Sequence, residues 1–278
     1  MKKIILTALL FVFAPVIAVA KPQVVASINP IYQILTEIVG DEADVVLVIN
    51  PNITAHHYQL KRKDVRAVHG ADLVFYVDDA LEKNLSKLVS DKKSARNLSG
   101  IQGMTLLNKR QGHKIMDLHI WLNPRNAIRI AEHMATELAA IDPDSSKVYQ
   151  TNLVIFKKKL LSLEERIFKA IENSSTSGHV LFTQDYQYFE EYFGFKPLKV
   201  IFNSHGHDLR MSDVREFDAL VKKGKVTCVF GDVYDESNAV QKLARNHGLK
   251  YIALDLIGSE KNYFQILADI SDEIASCS

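Results

Sequence analysis

The chain has 278 residues, with 34 lysines and arginines against 33 aspartates and glutamates and only two cysteines. That near-neutral balance offers no basic field for nucleic acid or an anionic membrane, and the length suits one large domain or two ordinary ones. Neither cysteine has a CxxC or His-x-x-Cys neighbour, which argues against a thiolate metal site.

Residues 1–20 read as a secretory signal: Lys2-Lys3, an apolar run broken by Pro15, and the small-x-small ending Ala18-Val19-Ala20. Cleavage there would start the mature chain at Lys21 and leave 32 basic against 33 acidic side chains. No cysteine follows the small residues, so an exported, soluble protein without a lipid anchor is expected. In an oxidising compartment Cys228 and Cys277 read as one disulfide tying the C-terminal helix to the strand that holds Cys228; two buried thiols are the alternative.

Taken in order, 23–28 is a β-branched run, and Asn29-Pro30 opens an amphipathic helix with Ile31, Leu35, Ile38 and Val39 on one face. Residues 44–49 form a near-continuous apolar stretch, the pattern of a parallel strand buried on both faces. Asn50-Pro51-Asn52 breaks it and leads to His56-His57. A helix can begin at Gln59, and 72–77 makes a third strand, giving the β-α-β-α-β alternation of an α/β lobe whose loops gather at the carboxyl ends of its strands. A charged helix, 81–89, and a polar connection lead to Asp117-Leu118-His119-Ile120-Trp121-Leu122-Asn123-Pro124. There an extended segment is expected to end at His119, and a helix over 124–138 to open with Asn123 as N-cap and Pro124 in its first turn.

Asp142-Pro143-Asp144-Ser145 then caps a long helix running to about Ile171. Its apolar positions Tyr149, Leu153, Phe156, Leu160, Leu163, Ile167 and Ile171 recur every three or four residues. Such a helix reaches about 40 Å and is expected to be a strut between two lobes. After it the α/β pattern restarts: strand 180–182, helix 186–193, strand 198–202, a loop carrying His205-Gly206-His207, helix 213–222, strand 226–230, helix 238–246, strand 251–254, the loop at Asp255, and a closing helix 263–275. The expected architecture is two α/β lobes, 21–143 and 174–278, joined by a rigid helix over 144–173, with ligand bound in the cleft between them.

Three loop positions at the ends of predicted strands carry side chains suited to a metal: His56 with His57, then His119, then Asp255. Imidazole and carboxylate together suit zinc, although separations this large make no local motif. The residues Asn29-Pro30, His56-x-Tyr58-x-Leu60, Asp64, Asp117-x-His119-x-Trp121-Leu122-x-Pro124, Asp142-Pro143, Tyr186-x-Tyr188-Phe189 and Asp255-Leu256-Ile257-Gly258 go further. Through them, from Val24 to Cys277, the chain resembles the solute-binding proteins of zinc and manganese ABC importers, specifically the ZnuA type. The resemblance implies two pseudo-symmetric lobes, a periplasmic monomer without enzymatic activity, Zn2+ as cargo with Mn2+ as the alternative, and delivery to a membrane permease. It also implies His56 and His119 as ligands from the first lobe and Asp255 from the second. The cysteine pair falls where zinc-type relatives carry a disulfide.

Departures from that pattern matter. Where relatives carry a third ligand histidine, this chain has Thr183 in Thr183-Gln184-Asp185-Tyr186. His205 or His207 in the next loop, Asp185 or a bound water could fill the vacancy, and Gly206 would let a tight turn aim one ring into the cleft. The His-rich insertion of many zinc-type relatives is reduced to 109–116 with His113, so ion scavenging by such a loop is not expected. Arg62-Lys63 replaces the usual Pro-Ser before Asp64. His69, His133, His179 and His247 are read as surface or structural. Competing readings are a manganese- or iron-binding relative, a zinc hydrolase, for which no HExxH or GxSxG element is present, and a degenerate member acting as an adhesin.

Overall fold

The computed structural model describes residues 20–52, 58–110, 115–201, 209–234 and 238–277. The first lobe is built on strands β1 (Gln23–Ala26), β2 (Asp44–Leu47), β3 (Leu73–Tyr76) and β4 (Ala95–Asn97), all parallel in the order β2-β1-β3-β4. The second repeats that winding with β5 (His179–Leu181), β6 (Lys199–Val200), β7 (Cys228–Asp232) and β8 (Lys250–Leu254), in the order β6-β5-β7-β8. The same permutation, second strand outside first, makes the two lobes pseudo-symmetric.

Central strands carry the core: β3 is buried along its whole length and Val24, Val25 and Ala26 of β1 are buried with it. The stretch 44–49 departs from expectation. Only 44–47 is strand, and it lies at the sheet edge with Val46 39% exposed. Its apolar character is used one step later, where Val48 and Ile49 leave the strand, stay buried, and donate their N–H groups to Ala26 and Ser27 carbonyls. Strand β4 was not expected, because three polar-flanked residues carry no periodic signal; Arg96 on it bonds Glu137 at 2.7 Å.

Helices α1 (Asn29–Val39), α2 (Arg62–Gly70), α3 (Lys83–Val89) and α4 (Pro124–Ile141) cover the first sheet. α5 (Ser146–Glu172) runs for 27 residues, about 40 Å at 1.5 Å per residue, and buries all seven apolar positions anticipated for it. It packs against α1 and α4 of the first lobe and against α6 (Gln187–Phe193) and α9 (Tyr263–Ala275) of the second. Ser145 does not cap it by its side chain; instead the Tyr149 hydroxyl donates to Asp142 at 2.7 Å across the α4–α5 corner. α7 (Met211–Lys222) and α8 (Ala239–Asn246) complete the second lobe, and Cys228 is bonded to Cys277 just beyond α9.

Loops from the carboxyl edges of both sheets meet. Asn29, just past β1, donates to the carbonyls of Ile257 and Gly258, just past β8. The Tyr234 hydroxyl, past β7, donates to the Pro51 carbonyl, past β2, at 2.7 Å. This is the side of an open parallel sheet on which ligands bind.

Candidate metal centre

His119 is not preceded by a strand. An isolated antiparallel bridge between Asn108 and Met116 is followed by an extended approach, and a 3-10 turn over Ile120–Leu122 separates His119 from α4. Asn123 caps α4 as its side chain suggested, accepting from the Arg125 N–H at 2.8 Å. The histidine is 5% exposed. One carboxylate oxygen of Asp117 accepts its backbone N–H at 3.0 Å and sits 2.8 Å from ring Nδ1. A proton held on Nδ1 by that carboxylate leaves Nε2 with its lone pair, the arrangement of a metal-binding imidazole.

Trp121 links this ring to the other lobe. Its indole stands edge-on to His119 with centroids 5.3 Å apart, and its Nε1 donates to the Leu256 carbonyl at 3.0 Å. The Tyr263 hydroxyl answers by donating to the Trp121 carbonyl at 2.6 Å. Leu256 adjoins Asp255, so the tryptophan that positions His119 also positions the loop of the acidic residue. Asp255 accepts the N–H groups of Ile257 and Gly258 at 3.0 and 2.7 Å, both through Oδ1. Gly258 has φ +64°, and a Cβ there would run into the Ile266 side chain, so the turn that fixes Asp255 requires glycine.

Thr183 lies just past β5, and its hydroxyl donates to Asp185 Oδ2 at 3.0 Å. Asp185 Oδ1 stands 3.7 Å from His119 Nδ1, with both side chains buried. The neighbouring Tyr186 is fully buried, and its hydroxyl makes no hydrogen bond among the described residues. Burial, with the carboxylates of Asp232, Asp255 and Asp185, pushes that hydroxyl well above the usual tyrosine range.

His56, His57, His113, His205 and His207 lie outside the described residues. Among the described residues no three His, Cys, Asp or Glu side chains gather closely enough to hold an ion by themselves. His179 is structural, buried against Phe230 with its Nε2 3.3 Å from the Cys277 carbonyl, and His247 pairs with Asp218 at 2.8 Å. The roles of Tyr188 and Asn29 in joining the lobes were not foreseen. Tyr188 donates to the Asp117 carbonyl at 2.8 Å while accepting the Leu107 N–H, and a lone tyrosine in an aromatic helix gives no sequence signal for that.

The profile described as zinc-uptake complex component A, periplasmic (ZnuA), matches residues 24–277. The chain belongs to the ZnuA family. This family consists of periplasmic solute-binding components of zinc uptake rather than enzymes. The ZnuA high-affinity zinc uptake protein of Haemophilus ducreyi is 24% identical over 303 residues, covering 98% of each chain. The zinc-binding lipoprotein AdcA of Streptococcus pneumoniae is 27% identical over 238 residues, 81% of this chain but 47% of AdcA, so the chain spans about half the length of that relative. A crystal structure of ZnuA superposes with a TM-score of 0.81 at 23% identity, over 93% of this chain and 99% of the other, which establishes the two-lobed fold.

Proposed function

We propose that this chain is the periplasmic binding component of a zinc ABC importer, capturing Zn2+ between its lobes and releasing it to an inner-membrane permease. His56, His119 and Asp255 are the ligands in this reading, with His205 and His207 as further imidazoles within the second lobe. Segment 1–20 is the export signal, and 144–173 is the rigid connection between lobes 21–143 and 174–278. The observation that carries the proposal is the Asp117–His119–Trp121 arrangement. A carboxylate sets the imidazole tautomer, and the adjoining indole ties the ring to the residue after Asp255.

Neutral imidazole and carboxylate oxygen are common zinc ligands, and a site shared by two lobes needs no local spacing motif. Manganese is the second reading, favoured by Thr183 standing where an imidazole was expected, because fewer nitrogens suit a harder ion. Calorimetric titration of chelator-stripped protein lacking 1–20 tests the proposal. Saturable zinc binding at micromolar or tighter affinity, abolished by His119→Ala, is expected. Absence of binding below millimolar zinc contradicts it.

A further inference from the structure

Five of the large apolar side chains left exposed among the described residues stand on α5: Val148, Val154, Ile155, Leu161 and Phe168. The opposite face of this helix already fills the space between the lobes, so these outward groups add nothing to its own packing. We propose that the outer face of α5 is an interface for a second copy of this chain, packed antiparallel across a two-fold axis at Leu161. Nothing in this depends on the metal-site reading, and it departs from the monomer that the family resemblance implies.

Val154, Leu161 and Phe168 follow one another in steps of seven residues, which drift by only about 20° each around a helix. They make a ridge about 21 Å long, with Val154 67%, Leu161 43% and Phe168 41% exposed. The ridge is firm at its far end, where the Phe168 ring stands 5.0 Å from that of Phe193 on α6. Reversing the helix about Leu161 lays Leu161 on its own copy and brings Val154 opposite Phe168 at both ends, the self-complementary pattern a two-fold axis requires.

The charges beside the ridge point to the same partner. Of the consecutive lysines, Lys157 pairs with Glu132 at 2.5 Å and Lys159 with Glu37 at 2.8 Å. Lys158, between them and exposed, forms no ion pair among the described residues. The acids repeat this contrast: Glu164 is buried and accepts from the Tyr192 hydroxyl at 2.6 Å, whereas Glu165 is exposed and forms no ion pair among the described residues. Lys158 and Glu165 lie seven residues apart, about 10 Å along the axis, so they cannot pair within one helix. Both stand on the same flank of the ridge. The two-fold axis at Leu161 brings Lys158 of each copy to within one residue step, about 1.5 Å along the axis, of Glu165 on the other.

Exposed pairs of this kind fix orientation more than strength, and one helix pair covers less than the about 800 Å² per partner of a stable interface. The dimer is therefore weak and reversible. An anionic lipid surface suits the ridge less well, because Glu165 and Glu172 would be pressed against like charge.

Sedimentation equilibrium of zinc-loaded protein lacking 1–20, from about 5 to 500 µM, tests the proposal. A monomer–dimer equilibrium with a dissociation constant of about 100 µM or tighter is expected. Leu161→Asp is expected to abolish it. K158E and E165K are each expected to weaken it about threefold or more, and K158E/E165K to restore it, since the swap rebuilds both pairs. Thermal melting and zinc affinity, unchanged in these variants, show that each is folded. A wild type that stays monomeric to about 500 µM would overturn the proposal. So would a dimer that survives Leu161→Asp, or a double swap no better than either single change. Monomeric protein that co-sediments with phosphatidylglycerol vesicles, and loses that binding in Leu161→Asp, would give the face to lipid instead.

Discussion

Asp117 decides what His119 can offer an ion, because the carboxylate 2.8 Å from Nδ1 selects the tautomer and holds the ring plane. Asp117→Ala is expected to weaken zinc binding by about 10–100-fold with little change in thermal stability, read by chelator competition and melting. An unchanged affinity would reduce the pair to a structural hydrogen bond. A second buried acid has a different effect. Burial pushes the Glu82 carboxyl up to about 7 from 4.5, even though it accepts the Val77 and Asp78 N–H groups. A raised acid binds its proton more tightly in the folded state. Its contribution is full below about pH 4.5 and is lost as pH rises through about 7, a change of about 3 kcal/mol. Urea unfolding from pH 4.5 to 7.5 is expected to show wild type losing stability relative to Glu82→Gln over that window; parallel curves would contradict it. At this scale His119 and Asp255 were legible as loop side chains of ligand type. The Trp121–Leu256 bond was not, because it joins residues 135 apart that only tertiary packing brings together.

Elements were legible where local chemistry was strong. The closing helix runs over Tyr263–Ala275 as expected, since Asn262 and Gln265 cap it reciprocally and its apolar face is regular. Edge strands were not: β2 was expected to be longer and more deeply buried, and β4 went unnoticed, since position at a sheet edge is set by the neighbouring strands. Two predictions belong here. Gly258→Ala puts a Cβ at φ +64° against Ile266, and is expected to cost about 1–3 kcal/mol in denaturant unfolding while weakening zinc binding through the Asp255 turn. Removing the Cys228–Cys277 bridge as C228S/C277S opens a loop of 49 residues and is expected to cost up to about 4 kcal/mol. Cys228 starts β7 and the candidate centre lies past its other end, so zinc affinity should be nearly unchanged in that variant.

Across the whole molecule, α5 contacts elements of both lobes with seven apolar side chains buried, and hydrogen bonds from Asn29, Trp121, Tyr234 and Tyr263 join the two lobes near the carboxyl edges of the sheets. A strut of this kind resists hinge bending, so zinc-free and zinc-loaded protein should give nearly superimposable small-angle scattering curves. A large compaction on zinc addition would show that α5 does not hold the lobes apart. The two-lobed plan was legible because α/β alternation stops, a 27-residue helix intervenes, and the alternation restarts. The repeated strand order was not legible, since register and pairing leave no trace in local pattern. The central claim is that one dication is held by donors from both lobes. Its most direct test is a zinc-loaded crystal measured at the zinc absorption edge. The account predicts one anomalous peak about 2.0–2.2 Å from His119 Nε2 and from a carboxylate oxygen of Asp255. A peak bound by only one lobe, or bound away from both residues, would contradict it.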